Sequence, residues 1–306
     1  MDIKKLIKDK RENLKDVSIK SYISSLKILN DNKEIINLDY LLDFENIKKK
    51  LSSKKTTTIR NYLTAILVVL DALHDSKFEN VLKKYREYLE ELTKNLNDFL
   101  KSNEKTESQK KNWTTLLKLK KVVKNYLNDI NERDLKNKGE LNKKDRELLK
   151  LAIVGLLYTD MAPKRLDYAP MLIINNKKDI KPDKNYLLNL GRNKKYFVIQ
   201  EFKTSNQYGK QEVLISKKLN TILNIYLKHH EEDSFLLDSK GKPLTANGLG
   251  KLITKVFLPL DKKITLNIIR HITISESLDL DLIRKQQKLA EDMNHNSNTQ
   301  IDYAKN

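Results

Sequence analysis

Arg146-Glu147-Leu148-Leu149-Lys150-Leu151-Ala152-Ile153-Val154-Gly155-Leu156-Leu157-Tyr158 is the stretch on which the fold turns. It reads as one buried helix, and after it the apolar pattern changes from helical to extended. Met171 to Ile174, Tyr186 to Leu190, Tyr196 to Phe202 and Glu212 to Ile215 are short and β-rich. Gly191-Arg192-Asn193 and Tyr208-Gly209-Lys210 between them are turn signals. A small antiparallel sheet around 171–216 is therefore expected behind a buried helix. Helical spacing returns at Leu219 to Lys228, Asn247 to Val256, Leu266 to Leu278 and Leu282 to Met293.

Upstream the chain reads as helices throughout. Ile19, Tyr22, Ile23, Leu26 and Leu29 recur at helical spacing behind Ser18, a good N-cap. Ile59, Leu63, Ile66, Leu67 and Leu70 repeat the pattern after Thr56-Thr57-Thr58, and a third amphipathic stretch runs from about Phe78 to Leu100. Lys101-Ser102-Asn103-Glu104-Lys105 is a polar break suited to a linker. Thr106-Glu107-Ser108-Gln109 then opens a helix in capping-box form, which is expected to carry Trp113, Leu116, Leu117 and Leu119. A charged, Asn-rich stretch, about Asn128 to Asn142, leads back to the buried helix. The expected fold is mainly α with a small antiparallel sheet (α+β). A helical domain over 1–101 would precede a helical domain with the sheet over 102–306.

Composition narrows the partner. Sixty Lys+Arg against 41 Asp+Glu leave a formal net charge of +19 over 306 residues, which calls for a polyanion. Lys, Asn and Ile are abundant, as AT-rich coding gives, so part of the lysine is plain solvated surface. A membrane is disfavoured, because the longest apolar run, Ala65 to Leu70, falls far short of the roughly 20 residues that span a bilayer. Met1-Asp2-Ile3-Lys4-Lys5 lacks the apolar core of a secretory signal, so an intracellular location is expected. With no cysteine there is neither a disulfide framework nor a Cys-based zinc site.

The chemistry-bearing residues lie mostly in the last forty positions. Leu266-Asn267-Ile268-Ile269-Arg270-His271 opens one helix and Leu289-Ala290-Glu291-Asp292-Met293-Asn294-His295 closes another, with Tyr303 eight positions beyond His295. This arrangement resembles the C-terminal signature of tyrosine recombinases (integrases), a His-x-x-Arg-His box, a Leu-Gly-His-like box and then a tyrosine. Thr159 to Tyr168 looks like that family's first arginine box, centred on Arg165, and Phe202-Lys203-Thr204-Ser205 matches its β-hairpin lysine. The segments Ser18 to Leu29 and Thr56 to Leu70 look like helices of its core-binding domain, so the resemblance covers nearly the whole chain. The Asp167-Tyr168 and Met293-Asn294-His295 variants look closest to integrases of large DNA viruses and related mobile elements.

The resemblance implies a site-specific DNA recombinase that cleaves and rejoins duplex DNA through a covalent 3′-phosphotyrosine. Tyr303 would be the nucleophile. Arg165 and Arg270 would each fork onto non-bridging phosphate oxygens, a geometry that lysine cannot reproduce. Their charge would stabilise five-coordinate phosphorus. Lys203 would be the general acid for the 5′-oxygen and His295 a further hydrogen-bond donor. Asp167 and His271 would support these from behind. No cofactor or metal is implied, and the family's working assembly is a homotetramer on two duplexes. Lys20, Lys27, Lys54, Lys55 and Arg60 would lie near phosphates in the N-terminal jaw of a clamp, making affinity strongly salt-dependent.

Two positions depart from the family pattern. Asn267 stands where the family usually has His or Lys, and an amide cannot accept a proton at neutral pH. In Lys164-Arg165-Leu166-Asp167-Tyr168 the acid comes one place early. Two other functions therefore stay open: relaxation of supercoils in the manner of a type IB topoisomerase, and catalytically silent DNA binding. His229-His230-Glu231-Glu232 looks metal-like, but adjacent residues point to different sides of a helix. Trp113 reads as core, and Gly248-Leu249-Gly250 lacks the strand and third glycine of a dinucleotide loop.

Overall fold

The computed structural model describes residues 2–294 and 296. These residues divide between Glu104 and Lys105 into two compact units.

The first unit is helical: α1 (Ile3–Lys10), α2 (Asp16–Leu29), α3 (Phe44–Leu51), α4 (Thr56–Leu73) and α5 (Glu79–Lys101). Its core is the row of apolar residues set at helical spacing, Ile19 and Leu26 of α2 with Leu63, Ile66 and Leu70 of α4. Tyr85 of α5 is fully buried and its hydroxyl donates to the Leu41 carbonyl at 2.9 Å, so the deepest polar atom of this core has a partner. Ser18 is not the cap expected of it. The α2 helix already begins at Asp16, and Lys15 precedes it without a side-chain cap. The short helices α1 and α3 bury two apolar residues each, Ile3 and Ile7, Ile47 and Leu51, with Leu6 and Phe44 packed at the edge of the core, and eight residues are too short a run for the period to stand out.

The second unit opens with α6 (Glu107–Asn112), where Thr106 and Gln109 close the capping box reciprocally. The expected continuation through Trp113 does not occur. Trp113 is extended, and the hydroxyl of Thr115 accepts from the Lys118 amide to start a new helix, α7 (Leu116–Glu132). A local cap here overrides a continuous apolar pattern. Next comes α8 (Lys143–Thr159), whose residues from Ala152 to Thr159 are all buried, with α7 and two helices from later in the chain packed around it. The strands follow as β1 (Leu172–Ile174), β2 (Tyr186–Asn189), β3 (Lys195–Ile199) and β4 (Gln211–Leu214), with the one-turn helix α9 (Ser205–Tyr208) inside the β3–β4 connection. The remaining helices are α10 (Lys217–Lys228), α11 (Ala246–Val256), α12 (Leu266–Ser277) and α13 (Leu280–Asp292).

The fold is thus mainly α with one small sheet, in the order β1-β2-β3-β4. The sheet is mixed rather than wholly antiparallel. The pairs β2–β3 and β3–β4 are antiparallel, but β1 runs parallel to β2, Leu172 opposite Tyr186. The reason lies in residues 175–185, which bring the chain back to start β2 beside the start of β1 instead of making a tight hairpin. No described helix is long and apolar enough to cross a membrane.

Candidate functional site

A cavity of about 1010 Å³ opens in the second unit where the segment between α8 and β1, the sheet and the start of α12 meet. Arg165, Asp167, Asn267 and Arg270 all line it. Each is placed for a local reason. The α8 helix stops at Thr159, and the chain crosses the cavity wall without regular structure before β1. The buried hydroxyl of Tyr158 donates to the Arg165 carbonyl at 2.9 Å, which holds this segment against the core. Tyr168 is fully buried, edge-on to Tyr158 at 5.9 Å and to Phe197 at 4.9 Å, so the segment is pinned on the far side of Arg165 too. On α12 the hydroxyl of Thr265 caps the Ile268 amide, and Ile268, Ile269 and Ile272 face the core. That leaves Asn267 and Arg270, three apart, on one face.

The cavity that Arg165 and Arg270 line also shapes the titration of Asp167. Burial pushes the Asp167 carboxyl above its ordinary value, while the charges of Arg165, Lys164 and Arg270 pull it down. Burial therefore outweighs three cations. The Asp167 carboxyl is half-buried and lines the same cavity as Arg165 and Arg270. Tyr158 and Tyr168 are driven upward by burial and stay neutral phenols.

The other expected residues stand as follows. Lys203 is exposed in the β3–β4 connection and does not line the cavity, although Glu201, two positions earlier, does. His271 is exposed on α12 beside Arg270 and faces away from the cavity wall. His295 and Tyr303 lie outside the described residues. In the first unit Lys20, Lys27, Lys54 and Lys55 are exposed, while Arg60 is half-buried and its Nε donates to the Thr93 hydroxyl at 3.1 Å. His229 ends α10, and His230 stacks on Tyr226 at 4.6 Å and meets the Ser234 carbonyl at 2.7 Å. Among the described residues no set of His, Asp and Glu is arranged to hold a metal ion.

The cavity residue Asn185 and the neighbour of Arg165, Lys164, make contacts to which the sequence reading assigned no role. Asn185, 2% exposed, spends all four hydrogen-bonding valences of its amide on backbone. Its Nδ2 donates to the carbonyls of Asp167 at 3.2 Å and Glu201 at 2.9 Å, and its Oδ1 accepts from the amides of Gln200 at 2.9 Å and Glu201 at 2.8 Å. Lys164, beside Arg165, donates through Nζ to the Gln211 side chain at the start of β4. Neither has a sequence signal, since one asparagine among many and one lysine among many are indistinguishable until partners are known.

No protein-family model matches the chain. No curated protein matches it either. Among solved structures it is similar to one described as the crystal structure of XerA recombinase, at 12% identity and a TM-score of 0.35, over 88% of this chain and 81% of that one. The functional reading therefore rests on the site's own residues.

Proposed function

We propose that the chain is a DNA strand transferase of the tyrosine recombinase type, acting through a 3′-phosphotyrosine at Tyr303. The observation that carries this reading is the shared cavity. Arg165 and Arg270, far apart in sequence and both selected from it as phosphate ligands, line one basin with Asp167 and Asn267. Two planar guanidinium groups at one open site suit a phosphodiester, each able to hold a non-bridging oxygen by two bonds. The net charge of +19 supplies the long-range attraction to duplex DNA.

In the proposed cleavage step the Tyr303 oxygen bonds to phosphorus and the bond from phosphorus to the 5′-oxygen breaks. Lys203 gives that oxygen its proton, and His295 donates a hydrogen bond to the phosphate. The phenolic proton leaves to water, because the Asn267 amide cannot accept it. Rejoining reverses these steps, with the 5′-hydroxyl as nucleophile. A tetramer on two duplexes would carry out recombination, and a monomer would relax supercoils. A two-duplex joining assay run beside a relaxation assay separates these outcomes.

The test is a nicked suicide duplex that traps the covalent adduct. Wild-type protein is expected to form a denaturant-stable protein–DNA band, and Tyr303→Phe to bind the duplex without forming it. An adduct in the Phe variant assigns the nucleophile elsewhere. Duplex binding with no adduct from the wild type establishes silent DNA binding instead.

A further inference from the structure

The β3–β4 connection, residues 200–210, carries Lys203 and is tied down at both ends to the loop that carries Arg165. At the end leaving β3, the buried Asn185 amide joins the Asp167 carbonyl to the carbonyl and amide of Glu201. Gln200 is held there as well, its Nε2 donating to the carbonyls of Lys181 and Lys184, both at 2.9 Å. At the end entering β4, Lys164 holds Gln211. The two ties leave the arginine loop on either side of Arg165, one from Lys164 and one from Asp167. Between them the connection itself is mostly exposed.

We infer that Asn185 and Lys164 are positioning residues that make the Arg165 loop and the Lys203 connection one mechanical unit, so that the phosphate ligand and the leaving-group acid are set together. This rests on the proposed strand-transfer reading. The physical case is that an exposed 11-residue connection has many conformations of similar energy, and each fixed end removes a large share of them. A general acid displaced by about 1 Å from its productive position forfeits on the order of 10²-fold in rate.

The experiment compares cleavage of ordinary duplex with duplex carrying sulfur in place of the 5′-bridging oxygen. A thiolate leaves without a proton, since a thiol has a pKa of about 8.5. Lys164→Met is expected to cut the oxygen substrate on the order of 10²-fold slower, yet to cut the sulfur substrate at close to the wild-type rate. Lys203→Ala should show the same selectivity, Arg270→Ala should be slow on both, and Lys164→Arg, which can still reach Gln211, should recover the oxygen rate. Amides of 202–210 should exchange faster in Lys164→Met than in wild type. Asn185→Asp, which loses both Nδ2 donor bonds at constant size, is expected to repeat the Lys164→Met pattern.

Equal slowing of Lys164→Met on both substrates, or wild-type rates on both with unchanged exchange, overturns the clamp. Selective rescue of Lys203→Ala would then leave the strand-transfer reading standing. Failure of the wild type to cut either substrate removes that reading and the clamp's catalytic role with it, while the exchange measurement still decides the mechanical coupling.

Discussion

Gly155 sits in the middle of α8, the helix that delivers the Arg165 loop, at a point where α7 comes very close. A Cβ at this position would stand 2.6 Å from Cγ2 and 3.3 Å from Cγ1 of Val123, and 3.4 Å from Cγ1 of Val256 on α11. Real carbon atoms do not approach to 2.6 Å, so Gly155→Ala requires movement. The obvious relief is closed, because Val123 is β-branched and helical, with one strongly preferred rotamer, and it is buried itself. Overpacking of this kind costs about 1–3 kcal/mol. Against it stands the helix preference of alanine over glycine, worth about 0.5–1 kcal/mol. Taken at the middle of both ranges, the net expectation is a loss of about 1 kcal/mol or slightly more. Trp113 is the single tryptophan and packs on the same core, so its fluorescence reports this unit. With a urea slope of about 2 kcal/mol/M, the midpoint should fall by about 0.5 M or slightly more. Adding Val123→Ala should recover stability beyond additivity, by a coupling of about 0.5–3 kcal/mol. A midpoint unchanged or raised in Gly155→Ala, or additive behaviour in the double variant, would refute the close approach of α7 to α8.

Three further outcomes are expected. Asp145 is buried, and the hydrogen bond from Lys138 at 2.8 Å is the chief reason its carboxyl lies below the ordinary value. Its stabilising effect is present above the unfolded value of 3.8 and lost as pH falls through the lower folded one. Asp145→Asn should therefore cost about 1.5–3 kcal/mol at pH 7 and less under strong acid, read by urea titration at several pH values. Arg270→Lys should slow adduct formation by about tenfold or more, the loss of one charged hydrogen bond of about 1.5–3 kcal/mol, while duplex affinity in a gel-shift assay changes little. Tyr158→Phe removes the bond to the Arg165 carbonyl and should lower stability by about 0.5–1.5 kcal/mol; a larger drop in cleavage rate than in stability would show that the bond also sets the arginine.

The division between what was legible and what was not follows the range of each interaction. Periodicity and caps act within a few residues, so α8 and α10 to α13 of the second unit could be placed from apolar spacing to within about three residues, whereas the one-turn α9, too short to show a period, could not. The Thr106 capping box was readable for the same reason. The same locality misled at Trp113, where an apolar pattern continues across a break that the Thr115 hydroxyl enforces. Arg165, Arg270 and Asn267 were selectable as residue types in a family-like order, yet only folding shows that they line one cavity.

Sequence alone determined where most of the longer helices lie and which of their faces are apolar, because both depend on side-chain type and near neighbours; the net charge of +19, from which a polyanionic partner is expected, is also a property of the sequence alone. Tertiary structure decided that β1 runs parallel to β2 and that Asp167 lines one cavity with Arg165 and Arg270. It also decided that Asn185 and Lys164 fasten the Lys203 connection to the Arg165 loop. These are contacts between residues distant along the chain. Such contacts leave no period behind them, and a polar side chain acquires its role only when burial removes water and makes one particular partner obligatory.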